Sequence, residues 1–99
     1  MKKNKTKKFD AIILSSEKEK NKRGILICGS GIGMSMVANR FDSVRAALCF
    51  SEKMAKLSRQ HNDANILVLG SRLISNEEAI KCIISFFNTK YEGGRHQAR

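Results

Sequence analysis

Three short apolar runs punctuate the chain after residue 23: Gly24-Ile25-Leu26-Ile27-Cys28, Val44-Arg45-Ala46-Ala47-Leu48-Cys49 and Ala64-Asn65-Ile66-Leu67-Val68-Leu69-Gly70. Runs of this length, bounded by turn residues, predict strands buried on both faces, at about Gly24–Cys28, Val44–Cys49 and Ile66–Leu69. Helical patterns fill the gaps. Met34, Met36, Val37 and Ala38 lead to Asn39, and Ser51 opens a polar helix from Glu52 to Gln60 with Met54 and Leu57 on its inner side. Ser75 and Glu78 have capping-box spacing, and Glu77 and Glu78 suit the positive end of a helix. Ile80, Ile83, Ile84 and Phe87 then follow at i, i+3, i+4 and i+7, which predicts one apolar stripe. Strands alternating with helices imply an α/β fold around a parallel sheet. Three strands are few for such a sheet.

The first 22 residues do not join this alternation. Phe9, Ala11, Ile12, Ile13 and Leu14 form one apolar run that fits a helical turn or a short strand equally well. The rest of the head is polar. Residues 1–23 hold nine basic and three acidic residues, so they carry +6 of the net +10. Basic arms bind nucleic acid, but no stacking aromatics interleave these lysines, so the block reads as a solvated terminus.

Composition narrows the class. The 99 residues are enough for one small domain, of a size that often leans on a partner subunit. No apolar run is long enough to cross a membrane, and no apolar segment follows the basic start as in a signal peptide. Cys28, Cys49 and Cys82 are an odd count at wide spacing, which suits reduced thiols in the cytoplasm rather than a disulfide framework. No Cys or His spacing suggests a metal site.

Gly29-Ser30-Gly31-Ile32-Gly33 lies between a predicted strand and a predicted helix. Glycines there permit a sharp turn and close approach of a ligand, and first-turn amides favour an anion. The spacing matches neither the dinucleotide fingerprint nor the Walker loop. A tight turn without a ligand is the other reading. Cys28 sits at the strand's C-terminal end, where ligands bind in open α/β sheets, and a thiol beside a helix start has its thiolate favoured. Cys49 and Cys82 read as packing residues.

GILICGSGIGMSMVAN, VRAALC, SRQHNDANILVLGSRLI and YEGGRHQ occur together and in order. From about Arg23 to Arg99 the chain resembles the type-B ribose-5-phosphate isomerases. The related galactose-6-phosphate isomerase subunits fit less well at the cysteine loop or at RxHNDAN. The resemblance implies a Rossmann-like three-layer α/β/α fold, a homodimer or higher homo-oligomer with active sites shared between subunits, a sugar-phosphate substrate, and no metal or cofactor. It implies interconversion of ribose 5-phosphate and ribulose 5-phosphate through an enediolate. Cys28 matches the base and His61 the ring opener. Gly29, Ser30, Gly31, Ile32 and Gly33 match the anion-stabilising loop. Asn62 matches a sugar contact, and Arg72, Arg95 and Arg99 match the binding arginines, the last two for phosphate. Bland readings stand beside these: His61 as a helix cap, Arg95 and Arg99 as a solvated tail, and Asp63 and Asn65 as residues that order the turn into the third strand.

The family opens with a strand, helix and strand carrying an Asp-His pair, and residues 1–22 do not reproduce them. The expectation is therefore a basic head at 1–22, partly disordered or helical, and a partial isomerase domain at 23–99. The Gly24–Cys28 strand is expected to have an unpaired edge, and turnover is expected to be weak or absent. A non-catalytic remnant or an assembly subunit is the alternative reading.

Overall fold

The structure is a computed structural model that describes the backbone of residues 10–14 and the whole of residues 22–94. Seven elements follow in order: β1 (Asp10–Leu14), β2 (Arg23–Cys28), α1 (Ile32–Ala38), β3 (Ala46–Leu48), α2 (Glu52–Asn62), β4 (Ile66–Gly70) and α3 (Asn76–Asn88). They build one four-stranded sheet in the order β1-β2-β4-β3. β2, β4 and β3 run parallel, with Leu26, Val68 and Leu48 in register across the sheet. Each of the three expected strands is present. β3 is shorter than the run Val44–Cys49, because Val44 donates back to Phe41 in a turn. Its pairing nevertheless extends past both ends, since the Arg45 carbonyl accepts from Asn65 and Cys49 donates to Val68.

The head departs from expectation. Asp10–Leu14 is a strand rather than a helix, and it pairs antiparallel with β2, from Asp10 opposite Ile27 to Leu14 opposite Arg23. The expected open edge of the Cys28 strand is therefore covered along nearly all its length. A five-residue run is too short for its apolar pattern to choose between helix and strand. An available sheet edge makes the choice, since bare edge amides and carbonyls template another strand. Residues 1–9 and 15–21, where most head lysines fall, lie outside the described residues.

Alternation along β4 sorts the layers. Leu67 and Leu69 join Ile25, Ala55, Cys82 and Phe86 in one core cluster. Val68 is fully buried outside that cluster, so it faces the opposite side of the sheet. α2 and α3 pack on each other over the first face, and α1 packs on β3 and β4. A Cβ on Gly31, at the head of α1, would meet the Leu48 side chain, which shares a row with Val68. α1 therefore lies over the second face, giving α/β/α layers.

Both long helices are rotated from their expected faces. In α3 the buried residues are Cys82 and Phe86, flanked by half-buried Ala79, Ile83 and Phe87, while Ile80 and Ile84 are each 56% exposed. The apolar positions of α3 span more than half its circumference, opposite a polar face of Glu77, Lys81, Ser85 and Asn88, so more than one stripe fits its sequence, and packing against α2 selects the one centred on Phe86. In α2 the buried residues are Ala55 and Arg59, and Met54 faces out. Close helix packing favours the small side chain. The capping box also forms only by half. Ser75 Oγ accepts from the Glu78 amide at 3.1 Å, but the Glu78 carboxylate accepts from the Glu52 amide at 2.7 Å, so it caps α2 instead of α3.

Two arginines from other elements hold the C-terminal end of α3, whose own last turn has no basic residue. Arg23 donates to the Phe86 and Thr89 carbonyls, and Arg59 donates to Thr89. Burial, and then the charge of Arg59, pull the Arg23 pKa below its ordinary value, and Asp63 works against both. Arg59 is 4% exposed, lies over the Phe86 ring, and also bonds Asp63 and the Ala64 carbonyl. Its buried charge is thus fully engaged, as burial requires.

The two packing cysteines are 0–1% exposed. Burial pushes both thiols up to about 11, helped at Cys82 by the Glu78 and Glu52 carboxylates and at Cys49 by the Cys82 thiol, against which a Ser58 hydrogen bond works. Their neutral form is favoured by folding. They therefore contribute stability that is complete below the unfolded value near 9 and is lost as pH rises through about 11. Thermal melts should fall across that window, and a Cys49→Ala/Cys82→Ala double variant should flatten the pH dependence there. In the folded chain at neutral pH, a thiol reagent should label half-buried Cys28 before either of them.

Candidate functional site

Cys28 ends β2 opposite Gly70, the last residue of β4. The two strands then continue as two loops that run side by side. Ser71 donates to the Cys28 carbonyl at 2.7 Å, and Arg72 donates to the Gly29 carbonyl at 3.0 Å. This extends the parallel ladder beyond the sheet and fixes the glycine loop against the turn before α3. The Arg72 guanidinium lies beside Gly29, where a Cβ would come 3.4 Å from its central carbon. Cys28, the loop and Arg72 are thereby brought together at the C-terminal edge of the sheet.

The loop glycines do different things. Gly31 has φ 79°, and a Cβ there would lie 2.5 Å from Leu48 Cδ1, so only glycine fits. Gly70, which the sequence reading did not single out, is required because the Ser30 backbone passes directly over it. Gly33 has nothing within 4 Å of a notional Cβ. The space above it is open, at the first turn of α1, whose leading amides have no acceptor within the helix. Ser30 Oγ takes the first of these, from Ile32, at 3.2 Å. Gly31→Ala should lose about 1–3 kcal/mol from the left-handed backbone alone, more with the Leu48 clash. Gly33→Ala should match or exceed the parent in a urea titration, since Ala is the better helix former by about 1 kcal/mol.

His61 and Asn62 occupy a different place. They form the last turn of α2, which ends in Asp63 with φ 51°. β4 starts four residues after Asn62 and runs to Gly70 beside Cys28. At about 3.3 Å per residue, the length of β4 puts roughly 13 Å between the two edges. His61 and Cys28 of one chain therefore lie at opposite edges of the sheet, and the fold does not bring them together. His61 is inside the helix and does not cap it. Asp63 and Asn65 do order the turn: Asp63 takes the left-handed cap and pairs with Arg59 at 2.9 Å. Asn65 Oδ1 accepts from the Arg45 amide, and its Nδ2 donates to the Ser43 carbonyl.

The segment after α3 returns to this second edge. The Glu92 amide donates to the Gln60 carbonyl at 3.0 Å, one residue before His61. Arg95 and Arg99 follow it and lie outside the described residues. A cleft of about 360 Å³ opens here, lined by Asn39, Arg45, Ala46, Ser58, Asn62 and Ala64 among others. Arg45 and Arg59 are residues that sequence reading passed over. Arg59 carried a signal as the first residue of RxHNDAN, and Arg45 as the one charged residue of the VRAALC strand run. Among the described residues, no His, Cys, Asp and Glu are grouped to hold a metal ion, and no helix is long and apolar enough to cross a membrane.

Comparison with known proteins bears on both edges. The family model described as Ribose/Galactose Isomerase matches residues 7–99. A probable ribose-5-phosphate isomerase B of Mycoplasma genitalium is 53% identical over 76 residues, covering 77% of this chain and 50% of that protein. Ribose-5-phosphate isomerase B of Escherichia coli is 50% identical over 76 residues, covering 77% of this chain and 51% of that one. Among solved structures, the Thermotoga maritima ribose 5-phosphate isomerase superposes with a TM-score of 0.74 at 53% identity, covering 76% of this chain and 52% of that one. The Mycoplasma genitalium enzyme with bound ribulose-5-phosphate superposes with a TM-score of 0.73 at 52% identity, covering 76% and 49%. The chain spans about half the length of the curated relatives it matches.

Proposed function

Because the chain belongs to the ribose/galactose isomerase family, we propose that it is a sugar-phosphate isomerase that interconverts ribose 5-phosphate and ribulose 5-phosphate at sites built from two copies. The observation that carries this reading is the meeting of Cys28, the Gly29–Gly33 loop and Arg72 at the C-terminal sheet edge. A relative at 52% identity was solved with ribulose-5-phosphate bound, which supports the substrate class.

The reaction divides between the two edges. His61, with Asn62 on the sugar, moves a proton between the anomeric hydroxyl and the ring oxygen, which opens the furanose. Cys28, as thiolate, takes the proton from C2 of the open aldose and returns it to C1, while the hydroxyl proton on O2 passes to O1 through the enediolate. The negative charge that develops on oxygen meets the amides of the loop and the first turn of α1. Donors fixed in place before reaction are the usual largest source of such stabilisation. Arg72 lies on the Cys28 side, and Arg95 and Arg99 are assigned to the phosphate. One chain places His61 and Cys28 at opposite edges, so a second copy must supply the missing half. The exposed apolar residues on and just after α1, Met36 at 64%, Val37 at 46% and Phe41 at 64%, suit burial by that copy.

The test is an assay of ribose 5-phosphate conversion by the purified 99 residues, with folding checked by circular dichroism. Turnover that depends on protein concentration through dimer formation supports the reading. A folded chain that dimerises but neither binds nor converts the sugar phosphate would instead be an assembly subunit or remnant.

A further inference from the structure

We propose that Arg45 is a positioning residue for the His61–Asn62 turn, and so acts on ring opening and not on proton transfer between carbons. The proposal rests on the isomerase reading above. Arg45 precedes β3 and is exposed, far in sequence from the helix it serves. Its Nε donates to the Asn62 carbonyl at 2.8 Å. Its amide donates to Asn65 Oδ1 at 2.8 Å, and its carbonyl accepts from the Asn65 and Ile66 amides. One residue thus grips both ends of the turn that follows His61: its side chain holds the last helical carbonyl, and its backbone holds Asn65 and Ile66, where β4 begins.

Geometry explains why such a grip is needed. The turn must leave the helix through Asp63 in a left-handed conformation, which a non-glycine residue adopts only when its surroundings hold it there. Arg59 holds the turn from the buried side, through Asp63 and the Ala64 carbonyl. Arg45 holds it from the open side, where it also lines the cleft beside Asn62. Arg59 has a structural task in the core as well, bonded to the end of α3. Arg45 is exposed, so its substitution leaves that core contact of Arg59 in place. A misplacement of about 1 Å costs roughly a hundredfold in rate, and the Arg45 bond limits how far the His61 turn can shift.

The two half-reactions separate this role from a general loss of structure. Conversion of ribose 5-phosphate needs ring opening. Exchange of a C1 proton of ribulose 5-phosphate with deuterated water, read at saturating ketose, does not, because that ketose is already open and its carbon-bound proton moves through Cys28. In Arg45→Gln, conversion should fall about tenfold to a hundredfold while C1 exchange stays within about twofold of the parent. Arg45→Lys, which keeps a donor on a long stem, should restore part of the conversion. Equal loss of both readouts, or no loss of either, would overturn the proposal. If the parent itself shows neither reaction, the isomerase reading fails, and amide hydrogen exchange then decides the positioning role. Exchange at Asp63–Asn65 that rises about tenfold in Arg45→Gln, with the rest of the chain unchanged, supports the grip. Unchanged exchange in that turn overturns it.

Discussion

Cys28→Ala is expected to lower conversion of ribose 5-phosphate by about 10²–10⁴-fold, the usual contribution of a positioned base, and to leave the fold intact. The side chain is half-buried at a strand end and lies outside the core cluster. Removing its sulfur therefore opens no large cavity, and the thermal midpoint should move little. The backbone of Cys28 continues to accept from Ser71, so the two loops keep their register. Cys28→Ser should be nearly as slow, because a hydroxyl is a far weaker base at neutral pH. Parent-like turnover by Cys28→Ala would remove Cys28 from the mechanism. A collapse of the circular dichroism signal would make it a packing residue like Cys49 and Cys82.

Mixing two inactive variants should restore activity, which is the second large effect. If each site takes Cys28 from one copy and His61 from the other, a Cys28→Ala chain paired with a His61→Asn chain has one site with both changes and one intact site. Random pairing of equal amounts makes half the dimers mixed, each with half its sites intact, so about a quarter of the parent activity should return. Each variant alone should remain at its own low rate at any concentration. The recovery should disappear on dilution below the dimer dissociation constant. No recovery from two folded, dimerising variants would place both groups within one chain, against the separation that β4 imposes between Cys28 and the α2 terminus.

The amino-acid sequence by itself determined the parallel core. Buried strands must be apolar on both faces, so β2, β3 and β4 are written as unbroken runs whose period needs no tertiary context. The helix starts at Ser51 and Ser75 were equally legible, because a capping hydroxyl acts on amides two or three residues away. The glycine loop and Cys28 were legible for the same reason, since a left-handed residue at Gly31 and a thiol at a strand end are local facts.

Only the tertiary structure decided what depends on neighbours distant in sequence. The run at Asp10–Leu14 became a strand because β2 offered an edge. Ile80 and Ile84 turned outward because the apolar arc of α3 is wider than one packing face and α2 selected the part centred on Phe86. Glu78 left its own helix to cap α2, since a carboxylate serves whichever amide packing brings near. Arg59 is buried among acceptors supplied by Asp63, Ala64 and Thr89, and Arg45 reaches Asn62 across 17 residues. His61 and Cys28 stand in one motif set along the chain, yet a parallel strand has two ends, and β4 carries the chain from one group to the other.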